Sequence, residues 1–234
     1  MAPPGPTSRP ESNRPGDIPA IPLPSLSPTP VPSRSRSDSI GYSDAMSEPA
    51  KVNPQDACLK PVRPLAWADV FSLWREAESK LPHWIEHYTK SGFESWDAWR
   101  TNTLKELDCR DLQWSLFEIT VPLRVVPSLL GGSFRPWIAR YYEGAKHRTF
   151  RELAKHPAVR ENAIIREMVT NFPKETYLVG LRTERGIIVI EGMHRCCALA
   201  IAAENGKPME SRIFIALAEF EGELPEMGRA TSPT

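Results

Sequence analysis

The chain has 234 residues, its 29 Lys and Arg are matched by 29 Asp and Glu, and 41% of it is hydrophobic. Zero net charge excludes a uniformly basic nucleic-acid coat or an acidic tail acting as a whole, and the length suits one domain of about 150 residues with an appendage. No apolar run reaches the ~20 residues of a membrane span, and the N-terminus lacks the apolar core of a secretory signal.

Twelve of the 24 prolines and ten serines fall in residues 1–50. Residues 1–60 therefore read as a disordered tail that buries too little apolar surface to fold. Its Ser33-Arg34-Ser35-Arg36-Ser37 run reads as a solvated linker before a nucleic-acid contact or phosphorylation site. Cys58, Cys109, Cys196 and Cys197 offer no C-x-x-C pair for zinc, and a vicinal pair rarely bridges, which points to free thiols in a reducing cytoplasm.

All seven tryptophans lie between Trp67 and Trp137. Residues 62–112 read as a helical extension. Trp67, Val70, Phe71, Trp74 and Ala77 share a helical face over 66–80. Pro82 closes that helix or starts another. A second amphipathic segment over 94–107 places Trp96, Trp99, Thr103, Leu104 and Leu107 together, with Ser95 and Asp97 near its start as caps. Such tryptophans could form a platform for a base or sugar, but their spacing favours packing on a main core.

A strand is expected over Phe117–Val126, with Pro122 at an edge or bulge. A loop over Pro127–Pro136 carries Gly131-Gly132, and helices follow over Phe150–Ala154 and Val159–Asn171. Tyr177–Leu181 and Ile187–Ile190 form a hairpin, Met193–Glu204 a helix stopped by Asn205-Gly206 and Pro208, and Arg212–Phe220 a last strand. Residues 221–234 read as a flexible tail. The order gives a mixed α/β (α+β) domain over about 115–220.

The most informative segment is the apolar run Ile187–Ile190, followed by Glu191-Gly192-Met193-His194-Arg195 at a helix start. A helix N-terminus exposes unpaired N–H groups and roughly half a positive charge, so it attracts anions. Gly192 permits a sharp turn, Arg195 has the fork to grip phosphate oxygens, and His194 can donate a hydrogen bond or move a proton. Glu191 is placed to act as a base or to bind a cation. Eight Lys or Arg occupy residues 124–160 against Glu143 and Glu152. Within that stretch Gly131-Gly132-Ser133-Phe134-Arg135 is a second candidate phosphate contact, with a solvent-facing loop as the equal alternative.

The Glu-Gly-Met-His-Arg unit, in this order of strands and helices, resembles the ParB/sulfiredoxin superfamily, whose Gly-x-His-Arg core matches Gly192, His194 and Arg195. The resemblance covers about residues 115–220 and implies a small ParB/sulfiredoxin-like domain with an N-terminal Trp-rich helical extension. It implies nucleotide binding (ATP or ADP, or CTP) with Mg²⁺. Phosphate contacts fall to Gly192, Met193, His194, Arg195 and Arg135, with Glu191 and His194 as catalytic residues and Glu191 as metal ligand. Sulfiredoxins carry a reactive cysteine where Met193 stands, so their chemistry is not expected. The pattern lies nearest the superfamily's free-serine kinases, with Glu for Asp, and implies phosphoryl transfer to a small hydroxylated acceptor. The alternative is a non-enzymatic, nucleotide-gated or DNA-associated module with the basic stretch on phosphate backbone. A cytoplasmic protein with no membrane contact is expected in either case.

Overall fold

A computed structural model describes residues 55–228. Residues 1–54 of the tail expected over 1–60, and residues 229–234 of the C-terminal tail, lie outside the described residues. The described chain is mixed α/β, with six strands in one mixed sheet.

The strands are β1 (Leu59–Leu65), β2 (Trp114–Ile119), β3 (Leu130–Gly131), β4 (Glu175–Thr183), β5 (Gly186–Glu191) and β6 (Arg212–Glu219). The helices are α1 (Trp67–Glu78), α2 (Pro82–Lys90), α3 (Trp96–Thr103), α4 (Pro122–Val125), α5 (Arg135–Tyr141), α6 (Phe150–Leu153), α7 (Pro157–Arg160), α8 (Ala163–Thr170) and α9 (Met193–Glu204). The sheet order is β1-β2-β6-β4-β5-β3. β4 runs parallel to β6 and β3 parallel to β5, and the remaining neighbours are antiparallel.

Period-two alternation divides the central strands between two cores. Ile187 and Val189 of β5, with Ile213, Ile215 and Leu217 of β6, face the layer that holds α9. Ile188, Ile190, Phe214, Ala216 and Ala218 face the Trp-rich helices. Trp74, Trp96 and Trp99 are among the buried residues of that second core, so these rings pack on the sheet. α9 is buried on nearly every side, and Cys196 through Ala202 are all inside. A helix that is apolar all round belongs in the middle of a fold.

Local chemistry accounts for the helix starts. Ser95 Oγ accepts the Ala98 N–H at 3.2 Å, as expected of an N-cap. Asn162 Oδ1 accepts the Ile164 and Ile165 N–H groups at 3.0 and 3.2 Å, which splits the helix expected over 159–171 into α7 and α8. Pro82 starts α2. Pro122 opens α4 in the same manner, so the strand expected to reach Val126 ends at Ile119.

Two margins differ from the sequence reading. Residues 55–60 belong to the fold: Cys58 is buried, and β1 pairs along β2 despite Pro61 and Pro64. Residues 221–228 form a strap whose Leu224 and Met227 are buried and whose Met227 bridges Phe134. The Gly-Gly loop is also shorter than expected, because β3 and α5 fall within it.

The helical layer is locked by a buried ion pair. Arg100 of α3 binds Glu78 of α1, and both are buried. Trp96 Nε1 donates to the same carboxylate at 3.0 Å. The Arg100 guanidinium lies 4.6 Å from the Trp74 ring centre and 4.2 Å from that of Trp99. Removing one partner of such a pair strands the other charge out of water. Arg100→Ala should therefore destabilise the protein by about 3–5 kcal/mol in chemical denaturation. A loss below about 1 kcal/mol would mean that Glu78 finds another partner.

Candidate functional site

The turn between β5 and α9 is built around Gly192. Its φ of +95° lies in the left-handed region, and a Cβ there would collide with Leu178 Cδ2. No side chain caps the N-terminus of α9. The N–H groups of its first turn are thus left for an external acceptor or solvent.

Glu191 and Arg195 face each other across this turn as a buried i,i+4 ion pair. Arg195 Nη1 also donates to Thr176 Oγ1 at 2.5 Å and to the Tyr177 carbonyl at 2.9 Å. Two guanidinium nitrogens are thereby committed to β4 and to the end of β5. Arg195, expected as a phosphate grip, is engaged from inside the protein through both terminal nitrogens and so positions the turn.

Glu191 is likewise committed. Burial pushes its carboxyl up and the Arg195 charge opposes that push, while the charges of Glu78 and Arg100 also act on it. A carboxylate closed on a guanidinium is a poor ligand for a divalent cation. Among the described residues no group of three or more His, Cys, Asp or Glu is arranged to hold a metal. The side chains present do not fit Glu191 as a Mg²⁺ ligand.

His194 is half-buried, and its ring meets Trp137 of α5 edge-on with centroids 5.1 Å apart. Burial, then the positive charges of His83 and Arg195, lower its pKa to about 4. The imidazole is therefore neutral near pH 7 and offers one donor and one acceptor.

The Gly131-Gly132 loop lies beside this turn, because β3 runs parallel to β5. The Gly132 N–H points at Met193 Sδ at 3.4 Å, and a Cβ on Gly132 would sit 2.7 Å from the Val189 carbonyl oxygen. Met193 is thus a packing residue between the two loops. Cys196 and Cys197 are buried in α9, and burial raises both thiols far above their ordinary pKa.

Arg135, the expected second clamp, starts α5 and pairs with Glu226 of the strap at 3.4 Å. The same strap puts Glu223 on Lys146 at 2.8 Å. Arg148 bridges Glu143 and Glu152, and Arg160 binds Glu204. Half of the basic stretch is neutralised by the chain's own carboxylates.

Several neighbours of the turn escaped the sequence reading. Thr176 and Tyr177 hold Arg195 from a strand that carries no motif. Trp137 covers His194 from a helix hidden by Pro136. Below the loop, His147 Nδ1 donates to the Gly131 carbonyl at 2.9 Å, which leaves Nε2 to accept from Ser133 Oγ at 3.3 Å. Ser133 is completely buried, so this pair fixes the loop.

Comparisons with family models, curated proteins and solved structures find no match to this chain.

Two outcomes check this geometry. Gly192→Ala should cost about 2 kcal/mol or more in denaturant unfolding, because left-handed strain adds to the clash with Leu178. His194 should titrate near pH 4 in imidazole NMR spectra. Between that value and the ordinary 6.5, the unfolded chain binds a proton that the folded chain does not. Stability should fall as the pH drops through this window, and His194→Asn should remove that component. Titration near the ordinary value would show a solvated ring.

Proposed function

We propose that the protein binds a nucleotide through its phosphates at the Gly192 turn, as the resemblance to the ParB/sulfiredoxin superfamily implies. One observation carries the reading: a left-handed glycine opens the twelve-residue α9 with no side-chain cap, beside the Gly131-Gly132 loop. Backbone N–H groups and the His194 ring are the donors available to an anion. Arg195 and Glu191 hold those donors in place from beneath. Met193 seats the neighbouring loop, and Arg135, expected as a further contact, is paired with Glu226 of the strap.

Phosphoryl transfer to a hydroxylated acceptor needs a base, and Glu191 is bound by Arg195 and out of reach of solvent. The geometry therefore favours the binding function over the kinase-type reaction. It also gives less support to DNA association, because Arg135, Lys146, Arg148 and Arg160 are paired internally.

Thermal unfolding with ATP, ADP or CTP, with and without Mg²⁺, provides the test. At ligand about 100-fold above Kd the midpoint should rise by several degrees. His194→Ala should weaken that binding about tenfold while leaving the unliganded protein folded. Arg195→Ala should lower the midpoint even without ligand. The proposal fails if none of the three nucleotides shifts unfolding at millimolar concentration.

A further inference from the structure

The basic stretch at 124–160 is not absorbed by the Gly192 turn. Arg124, Arg151, Lys155 and Lys207 line a surface groove of about 760 Å³. The groove lies at the C-terminal end of α9, against Ala200, Ala203 and Glu204, whereas Gly192 lies at the other end. At about 1.5 Å per residue the twelve-residue helix separates them by roughly 18 Å, so one small ligand does not span both.

Three properties of the groove point to a ligand. First, its charge is unbalanced. Glu204, its carboxylate, is taken by Arg160, while neither Arg151 nor Lys155 has an ion pair among the described residues. Like charges brought together without counter-charges repel, and that cost is relieved when an anion arrives. Second, the lining is largely apolar, with Leu123, Pro127, Ala154, Ala200, Ala203 and Pro208 beside the cations. Third, three of the last carbonyls of α9 are satisfied within the chain, which softens the negative end of the helix. The N–H groups of Asn205, Gly206 and Lys207 bond back to Ile201, Ala203 and Ala202. The Lys207 ammonium bonds the Val169 carbonyl at 2.6 Å, and Arg124 bonds Cys58 Sγ at 2.8 Å.

We propose that this groove is a second anion site, for an organophosphate whose apolar body lies on its apolar lining and whose phosphate meets the cationic residues. Its volume falls within the range of about 300–1,000 Å³ that holds small ligands. The site does not depend on the function proposed for the Gly192 turn.

Isothermal titration of the full chain with octyl phosphate, below its micelle concentration, tests the assignment. Octyl phosphate should bind with an affinity that falls as salt rises, and inorganic phosphate and octanol should each bind at least about tenfold more weakly. The double variant Arg151→Glu with Lys155→Glu should lose at least about tenfold in affinity. Ala203→Phe, which fills the half-exposed groove without changing charge, should weaken binding as well. Thermal unfolding verifies that both variants remain folded. The octyl phosphate binding that the double charge variant removes should persist in His194→Ala. The inference is overturned if octyl phosphate does not bind, if inorganic phosphate binds as well, if folded variants bind unaltered, or if His194→Ala abolishes the signal.

Discussion

The ion pair between Glu191 and Arg195 is the contact on which the site depends. It closes the Gly192 turn from below and, through Thr176 and Tyr177, ties α9 to β4. A buried pair of this kind contributes little net stability compared with apolar packing, but it tolerates no single deletion. Its role is to fix one geometry for the first turn of α9. The Glu78–Arg100 pair does the same for the helical layer, and its charges reach Glu191. Two buried ion pairs thus stand on the Trp-rich side of the sheet and at the start of α9, and the electrostatics of one bear on the other.

The surface charge follows a different rule. A stretch that reads as a continuous basic patch is divided in three dimensions. Arg135, Lys146, Arg148 and Arg160 close on carboxylates from the strap, from α6 and the loop before it, and from α9. Arg124, Arg151 and Lys155 line the groove at the C-terminal end of α9. Sequence proximity overstates how far charges act together, because each helix turn redirects successive residues by about 100°.

Much of the fold was legible where local and global signals agree. The bounds expected for α9, Met193–Glu204, are the bounds observed, because an apolar strand, a glycine turn and an Asn-Gly stop punctuate it. The hairpin of β4 and β5 was legible for the same reason. β1 was not, since Pro61 and Pro64 sit in a composition continuous with the proline-rich tail. α5 was hidden because Gly131, Gly132 and Pro136 read as a loop, whereas Pro136 is acceptable in a first helical turn. In the site, Gly192 and His194 were legible from residue type. The engagement of Arg195 was not, because Thr176 lies 19 residues away and only strand pairing brings it near.

The two prolines of β1 have a consequence for the whole sheet. β1 forms one margin of the sheet, and each proline lacks the N–H that a further strand would need. At the opposite margin β3 is only two residues long, and Leu130 is already bridged to Thr149. Neither margin offers a long, regular ladder for a neighbouring molecule. The sheet is thereby protected from edge-to-edge growth into larger aggregates, a safeguard set by proline chemistry at one border and brevity at the other.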